Sequence, residues 1–211
     1  MKSRTTVLNS TAAAALVLAI AMTVPVSADD GKEIHIKARA VSSTNIIRAA
    51  SDLVDIRIER WSTDDEREEL IQILSSEGSK ALASALGEKE NTGWVSFDPR
   101  GGGGPGRDPR RAYFKYAREI PQAEHKEIIL ITNEYPGYGQ TPQAADGAKL
   151  ANYPVSFVLL KLRESDNGET TGIGRMFVGA KLRYDMASKK FVIDEFPMDP
   201  VYLKDVKIKM K

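Results

Sequence analysis

The chain has 211 residues, no cysteine and a formal net charge of +1, with 28% charged and 42% hydrophobic residues. That is enough apolar material for one domain with its own core, and the balance lacks the strong basic excess of a nucleic-acid binder. Without cysteine there is no disulfide, no thiolate nucleophile and no lipid-modified N-terminal cysteine, so burial alone must hold the fold.

Residues 1–28 read as a secretory signal peptide. Lys2 and Arg4 form a positive start, Thr11 to Val24 a short apolar run, and Val26-x-Ala28 a cleavage site before Asp29-Asp30. The run falls short of the ~20 residues that span a bilayer, which separates it from an uncleaved anchor. The expected mature chain, 29–211, is one domain. Its formal charge falls to −1, because the leader carries two basic residues and no acidic one. An exported protein is expected, periplasmic or extracellular, with no transmembrane segment after cleavage.

From Glu33 the pattern alternates. Ile34, Ile36, Ala38 and Ala40 fall on one side and His35, Lys37 and Arg39 on the other, as in a half-buried strand. Residues 42–50 read as a connection. Val54, Ile56 and Ile58 then oppose Asp55, Arg57 and Glu59 in a second strand that ends at Trp61. Thr63-x-x-Glu66 fits a capping box, with Ser62-x-x-Asp65 as a competing register. Asp64, Asp65 and Glu66 favour a helix N-terminus, and Leu70, Ile71, Ile73 and Leu74 form an apolar stripe. Gly78 breaks the helix, and Ser79 is expected to cap a second, shorter one through Leu86, ended by Gly87.

A brief strand is expected from Trp94 to Phe97, followed by a Gly-rich flexible loop at 98–111. Tyr113–Arg118 and Lys126–Asn133 read as strands around a turn at 120–124. Glu134–Asn152 is a long Gly/Pro/Ala loop, and loops of that length are usually functional or disordered. Strands at Pro154–Glu164, Gly172–Tyr184, Phe191–Phe196 and Val201–Ile208 follow, separated by short turns that include Asn167-Gly168 and by a proline corner. These elements predict an α+β domain with a mostly antiparallel, curved sheet of about eight strands and one short helical hairpin. Gly172, Gly174 and Gly179 permit curvature as far as a partial barrel.

Catalytic chemistry has little to work with. No Gly-x-Ser-x-Gly elbow is present, and His35 and His125 are the only histidines, both expected as solvated surface groups. No His/Cys spacing suits zinc, the 165–169 turn is no calcium loop, and the glycine run lacks the Gly-Lys-Ser/Thr of a phosphate loop. No metal and no cofactor are implied. Asp64–Glu66 and Glu68-Glu69 read as solvated helix charge rather than a glycosidase pair. Asp194 and Glu195 must face opposite ways, and an inward one would need Arg175 or Lys181 as partner. Two groups remain as ligand-binding candidates. Arg110 and Arg111, with Arg100 and Arg107, could hold an anion, although Asp98 and Asp108 dilute the patch. Tyr135 and Tyr138, with Tyr153, could stack a sugar or peptide, or simply fold their loop back on the sheet.

The segments KARAVSS (37–43), IRIERWSTDDERE (56–68), YPVSFVLLKLRESDNGE (153–169) and YDMASKKFVIDEFPMDPVYLKDVK (184–207) together resemble a family of small exported bacterial proteins with no assigned activity. The resemblance implies export and a single domain, and nothing chemical. The expected function is a non-enzymatic exported protein that binds a small or lipid-like ligand or an envelope partner. Two alternatives are a hydrolase of envelope or extracellular polymers and an interaction module using the helical hairpin.

Overall fold

Alternation settles the first strands. In β1 (Ile34–Val41) the four apolar residues Ile34, Ile36, Ala38 and Ala40 are buried, while His35, Lys37 and Arg39 point outward. In β2 (Asp52–Ile58), Val54, Ile56 and Ile58 are buried in the same way. The structure is a computed structural model that describes residues 33–41, 52–98, 111–136, 151–165 and 167–210. The expected leader, the connection at 42–50, and most of the loops at 98–111 and 134–152, with Arg110 and Tyr138, lie outside the described residues.

The remaining strands are β3 (Gly93–Asp98), β4 (Arg111–Phe114), β5 (Tyr116–Pro121), β6 (Lys126–Thr132), β7 (Val155–Glu164), β8 (Thr170–Asp185), β9 (Lys190–Glu195) and β10 (Val201–Met210). All pairings are antiparallel, in the order β4-β3-β2-β1-β10-β8-β7-β6-β5, with β9 paired to β8 off this path. The two ends of that order are consecutive in sequence. β4 and β5 meet at Lys115, whose backbone N–H donates to the Ile131 carbonyl at 2.9 Å. One bent strand therefore pairs β3 with its first half and β6 with its second, and the sheet nearly closes into a barrel of eight staves. The expected α+β class and curved antiparallel sheet are both present.

Two apolar layers follow. Inward side chains of every stave, among them Ile36, Ile56, Val95, Leu130, Leu160 and Val206, form one core in which these six are 0–1% exposed. A second layer lies outside the wall, where Ile129, Ile131, Phe157 and Phe177 meet Leu70, Leu74, Leu82 and Leu86 of the helices α1 (Asp64–Glu77) and α2 (Ser79–Glu88). The far end of β8 joins this layer. A register shift between Val155 and Phe157, opposite Gly179 at φ +75°, turns β8 off the wall. The β8–β9 hairpin then lies over β5 and β6 as a flap, with Phe191 edge-on to Tyr116 at 5.1 Å.

The capping box at Thr63 is formed in full. The Glu66 N–H donates to the Thr63 hydroxyl at 3.1 Å, and the Thr63 N–H to the Glu66 carboxylate at 2.9 Å. Arg60 grips the same carboxylate through both terminal nitrogens at 2.9 and 3.0 Å. Burial alone would raise the Glu66 carboxyl, but the Arg60 and Thr63 hydrogen bonds hold it below the ordinary range. Thr63→Ala is expected to cost about 1 kcal/mol in denaturant titration, and an unchanged midpoint would show the box to be redundant.

Some boundaries differ from expectation. β2 stops at Ile58 rather than Trp61, and Ser62 leaves the competing cap register to bond β5 instead. Its hydroxyl accepts the Ala117 N–H at 3.1 Å, and its own N–H donates to the Ala117 carbonyl at 2.9 Å. Ser79 does not cap α2. Gly78 occupies that position, and the Ser79 hydroxyl donates to the Leu182 carbonyl and accepts the Leu182 N–H, tying the helix to β8. Gly87 lies inside α2, which ends at Glu88, and the start of the expected 120–124 turn is still strand.

Candidate functional site

Of the four ligand-binding candidates, Arg111 and Tyr135 are described. Arg111 begins β4, and its guanidinium lies 4.3 Å from the centroid of the Trp94 ring, with Arg57 at 5.7 Å from the same ring. Such stacking engages the cation with an aromatic of the neighbouring strand. Tyr135 is 38% exposed and its hydroxyl is raised above the ordinary value by burial. The residue before it pins the loop to β4, since the Glu134 carboxylate accepts the Tyr113 N–H at 2.8 Å. The Glu134 carbonyl also accepts the Ser156 hydroxyl at 3.0 Å. The two candidates thus come to neighbouring segments, Arg111 at the start of β4 and Tyr135 just after β6.

The histidines are not the solvated groups expected. His35 Nε2 meets the carboxylate of Asp55 on β2, and His125 Nε2 lies 3.5 Å from Glu127. Glu127 is the one charged residue buried among the described residues, at 3% exposure. It projects from the outer face of β6 at the rim of the helix-covered layer. There it binds Lys190 of the flap and lies 3.5 Å from Lys161 of β7. Burial alone would raise this carboxyl, but the hydrogen bond and charge of Lys190, the His125 hydrogen bond and the Lys161 charge hold it below the usual range. A carboxylate kept anionic by two lysines is a poor proton donor, and its geometry is that of a latch between flap and wall. The acidic first turn of α1 is likewise accounted for, with Asp64 2.8 Å from Arg118 and Glu69 bonded to Lys89. Asp194 and Glu195 are both exposed, so neither is the inward acid that would need a partner, and Glu195 takes Lys181 at 2.7 Å on the surface. Among the described residues no group of His, Asp and Glu has the arrangement of a metal site.

The arrangement that sequence reasoning missed lies on the opposite wall. β1 and β10 pair so that His35 faces Lys209, Lys37 faces Lys207, and Arg39 faces Lys204. All six point outward, and the four lysines and the arginine are exposed. Directly opposed like charges destabilise a sheet by a few tenths of a kcal/mol to about 1 kcal/mol each. Of these six, His35 meets Asp55 of β2, and Arg39 meets Asp205 at 2.6 Å, in a bulge where Asp205 adopts φ +52°. Lys37, Lys204, Lys207 and Lys209 make no ion pair among the described residues. The signal was present in Lys204, Lys207 and Lys209, whose alternation is broken by the bulge at Asp205. It acquires meaning only when β10 is paired with β1, more than a hundred residues away in sequence.

On the far wall, covered by α1, the helix carboxylates Asp64, Glu66 and Glu69 are paired with Arg118, Arg60 and Lys89. Compared with known proteins, the chain matches no family model, no curated protein and no solved structure.

Proposed function

We propose that the protein is an exported, non-enzymatic binding protein that engages an envelope partner through the outer wall of its barrel. The observation that carries this is the β1–β10 seam, with its successive like-charge pairs kept at a cost to stability. Evolution tolerates such local conflicts mainly where a surface has another use.

The filled interior favours an outside surface over an internal ligand. A cavity wide enough for a lipid tail would leave its lining accessible, whereas the inner faces of the central staves are fully buried in one another. Equilibrium binding to an isolated envelope fraction checks the proposal. Lys37→Glu with Lys207→Glu is expected to weaken binding more than tenfold, because it inverts the centre of the seam. Binding unchanged by the inversion, or stoichiometric uptake of an apolar fluorescent probe by the folded barrel, would overturn it.

A further inference from the structure

We propose that the partner seated on the β1–β10 seam is the headgroup layer of an anionic lipid surface, an inference that rests on the outer-wall function above. Charge complementarity asks for an anion. Lys37, Lys204, Lys207 and Lys209 form no ion pair among the described residues, Lys37 standing opposite Asp55 of β2 without bonding it. Arg39, paired with Asp205, and Arg175 flank them on β1 and β8. Strands lie ~4.8 Å apart and alternate residues on one face ~6.7 Å apart, so these cations form a broad field rather than a single pocket.

The apolar residues within that field decide which anion. Ile173 is 63% exposed on β8, at the point where the β10 bulge interrupts pairing, and Tyr202 is 39% exposed on β10. Arg175 lies over the Tyr202 ring at 5.7 Å, which leaves one ring with a cationic neighbour and a water-facing edge. The corner leading into β10 adds exposed Met198. A hydrated linear polyanion gains nothing from aliphatic and aromatic side chains set among the lysines. At a bilayer surface the same side chains enter the boundary between headgroups and acyl chains while the lysines meet phosphates.

Co-sedimentation of the full chain with phosphatidylcholine vesicles, with and without phosphatidylglycerol, tests this. Binding is expected only to the anionic vesicles and is expected to fade between ~0.1 M and ~1 M salt, as the screening length falls from about 10 Å to about 3 Å. At about fivefold per cation near the surface, the triple variant Lys37→Gln, Lys204→Gln, Lys207→Gln is expected to lose roughly a hundredfold. Its thermal midpoint should equal or exceed that of the parent, because like charges are removed, so lost binding cannot be blamed on misfolding. Ile173→Ser is expected to cost about tenfold, while a matched triple on the rest of the surface (Lys80→Gln, Lys126→Gln, Arg183→Gln) should bind as the parent does. No binding to anionic vesicles at low salt would overturn the lipid assignment. Equal binding to soluble polyphosphate, unaffected by Ile173→Ser, would overturn it in favour of a linear polyanion and leave the outer-wall function standing. Envelope binding that the Lys37→Gln triple leaves intact would overturn both.

Discussion

Glu127→Ala is expected to lower the unfolding free energy by about 3 kcal/mol and to release the β8–β9 flap. Removing one partner of a buried pair leaves the other charge stranded, a loss of about 3–5 kcal/mol in a dry site. The lower figure applies because Lys161 is half exposed and returns to water, while Lys190 is only 20% exposed and stays beside the wall. The sign with pH follows from the lowered carboxyl. The contribution is complete above the ordinary value of 4.5 and is lost as pH falls through the lower folded value. Stabilities of parent and variant should therefore differ most near neutrality and converge in acid. Denaturant titration across that range measures the difference. Hydrogen exchange should show the amides of β9 opening early while those pairing β1 with β2 keep their protection. Equal stability at neutral pH would mean that the flap is held by Phe191 packing alone.

Gly172→Ala should cost as much by a different route. A Cβ at Gly172 would stand 2.1 Å from the Lys161 carbonyl oxygen, which is backbone of β7 and cannot swing aside. β8 would have to retreat from β7 in the middle of the wall, at about 3 kcal/mol. Gly78 supplies the comparison. Its φ of +83° with ψ of −174° is a conformation essentially reserved for glycine, with nothing within 4 Å of the added carbon, so Gly78→Ala pays backbone strain alone, about 1–3 kcal/mol. Thermal midpoints of the two variants separate lack of space from lack of conformational freedom. A Gly172→Ala midpoint equal to that of the parent would refute the clash.

Much of the fold was legible where one residue type has one physical use. The alternation from Ile34 to Ala40 fixed which face of β1 is buried, and Thr63 with Glu66 fixed the start of α1, because only a cap satisfies those amides. Ser79 misled because its hydroxyl serves β8, more than a hundred residues on, and local sequence cannot show that competitor. The place where the helices dock was written in Ile128–Ile131 and Phe157–Leu160. Those near-continuous apolar runs belong to strands buried on both faces, unlike the alternating β1. The latch at Glu127 was not legible, since its partners come from three separate segments. Arg111 was singled out for anion binding, and its aromatic neighbour on β3 was not legible, because Trp94 comes beside it only through strand pairing.

The pairing of Ile34 with Met210 joins the first and last described strands, which sets the order in which the molecule can form. β1 and β2 can zip as soon as both exist, but the seam must wait for the whole chain and then bring like charges together. High contact order already places such barrels among slow folders, in milliseconds to seconds, and repulsion across the seam slows the closing step further. Until then the inward faces of β1 and β8 stand open to water, so the most exposed moment in this molecule's life is the interval before its last strand arrives.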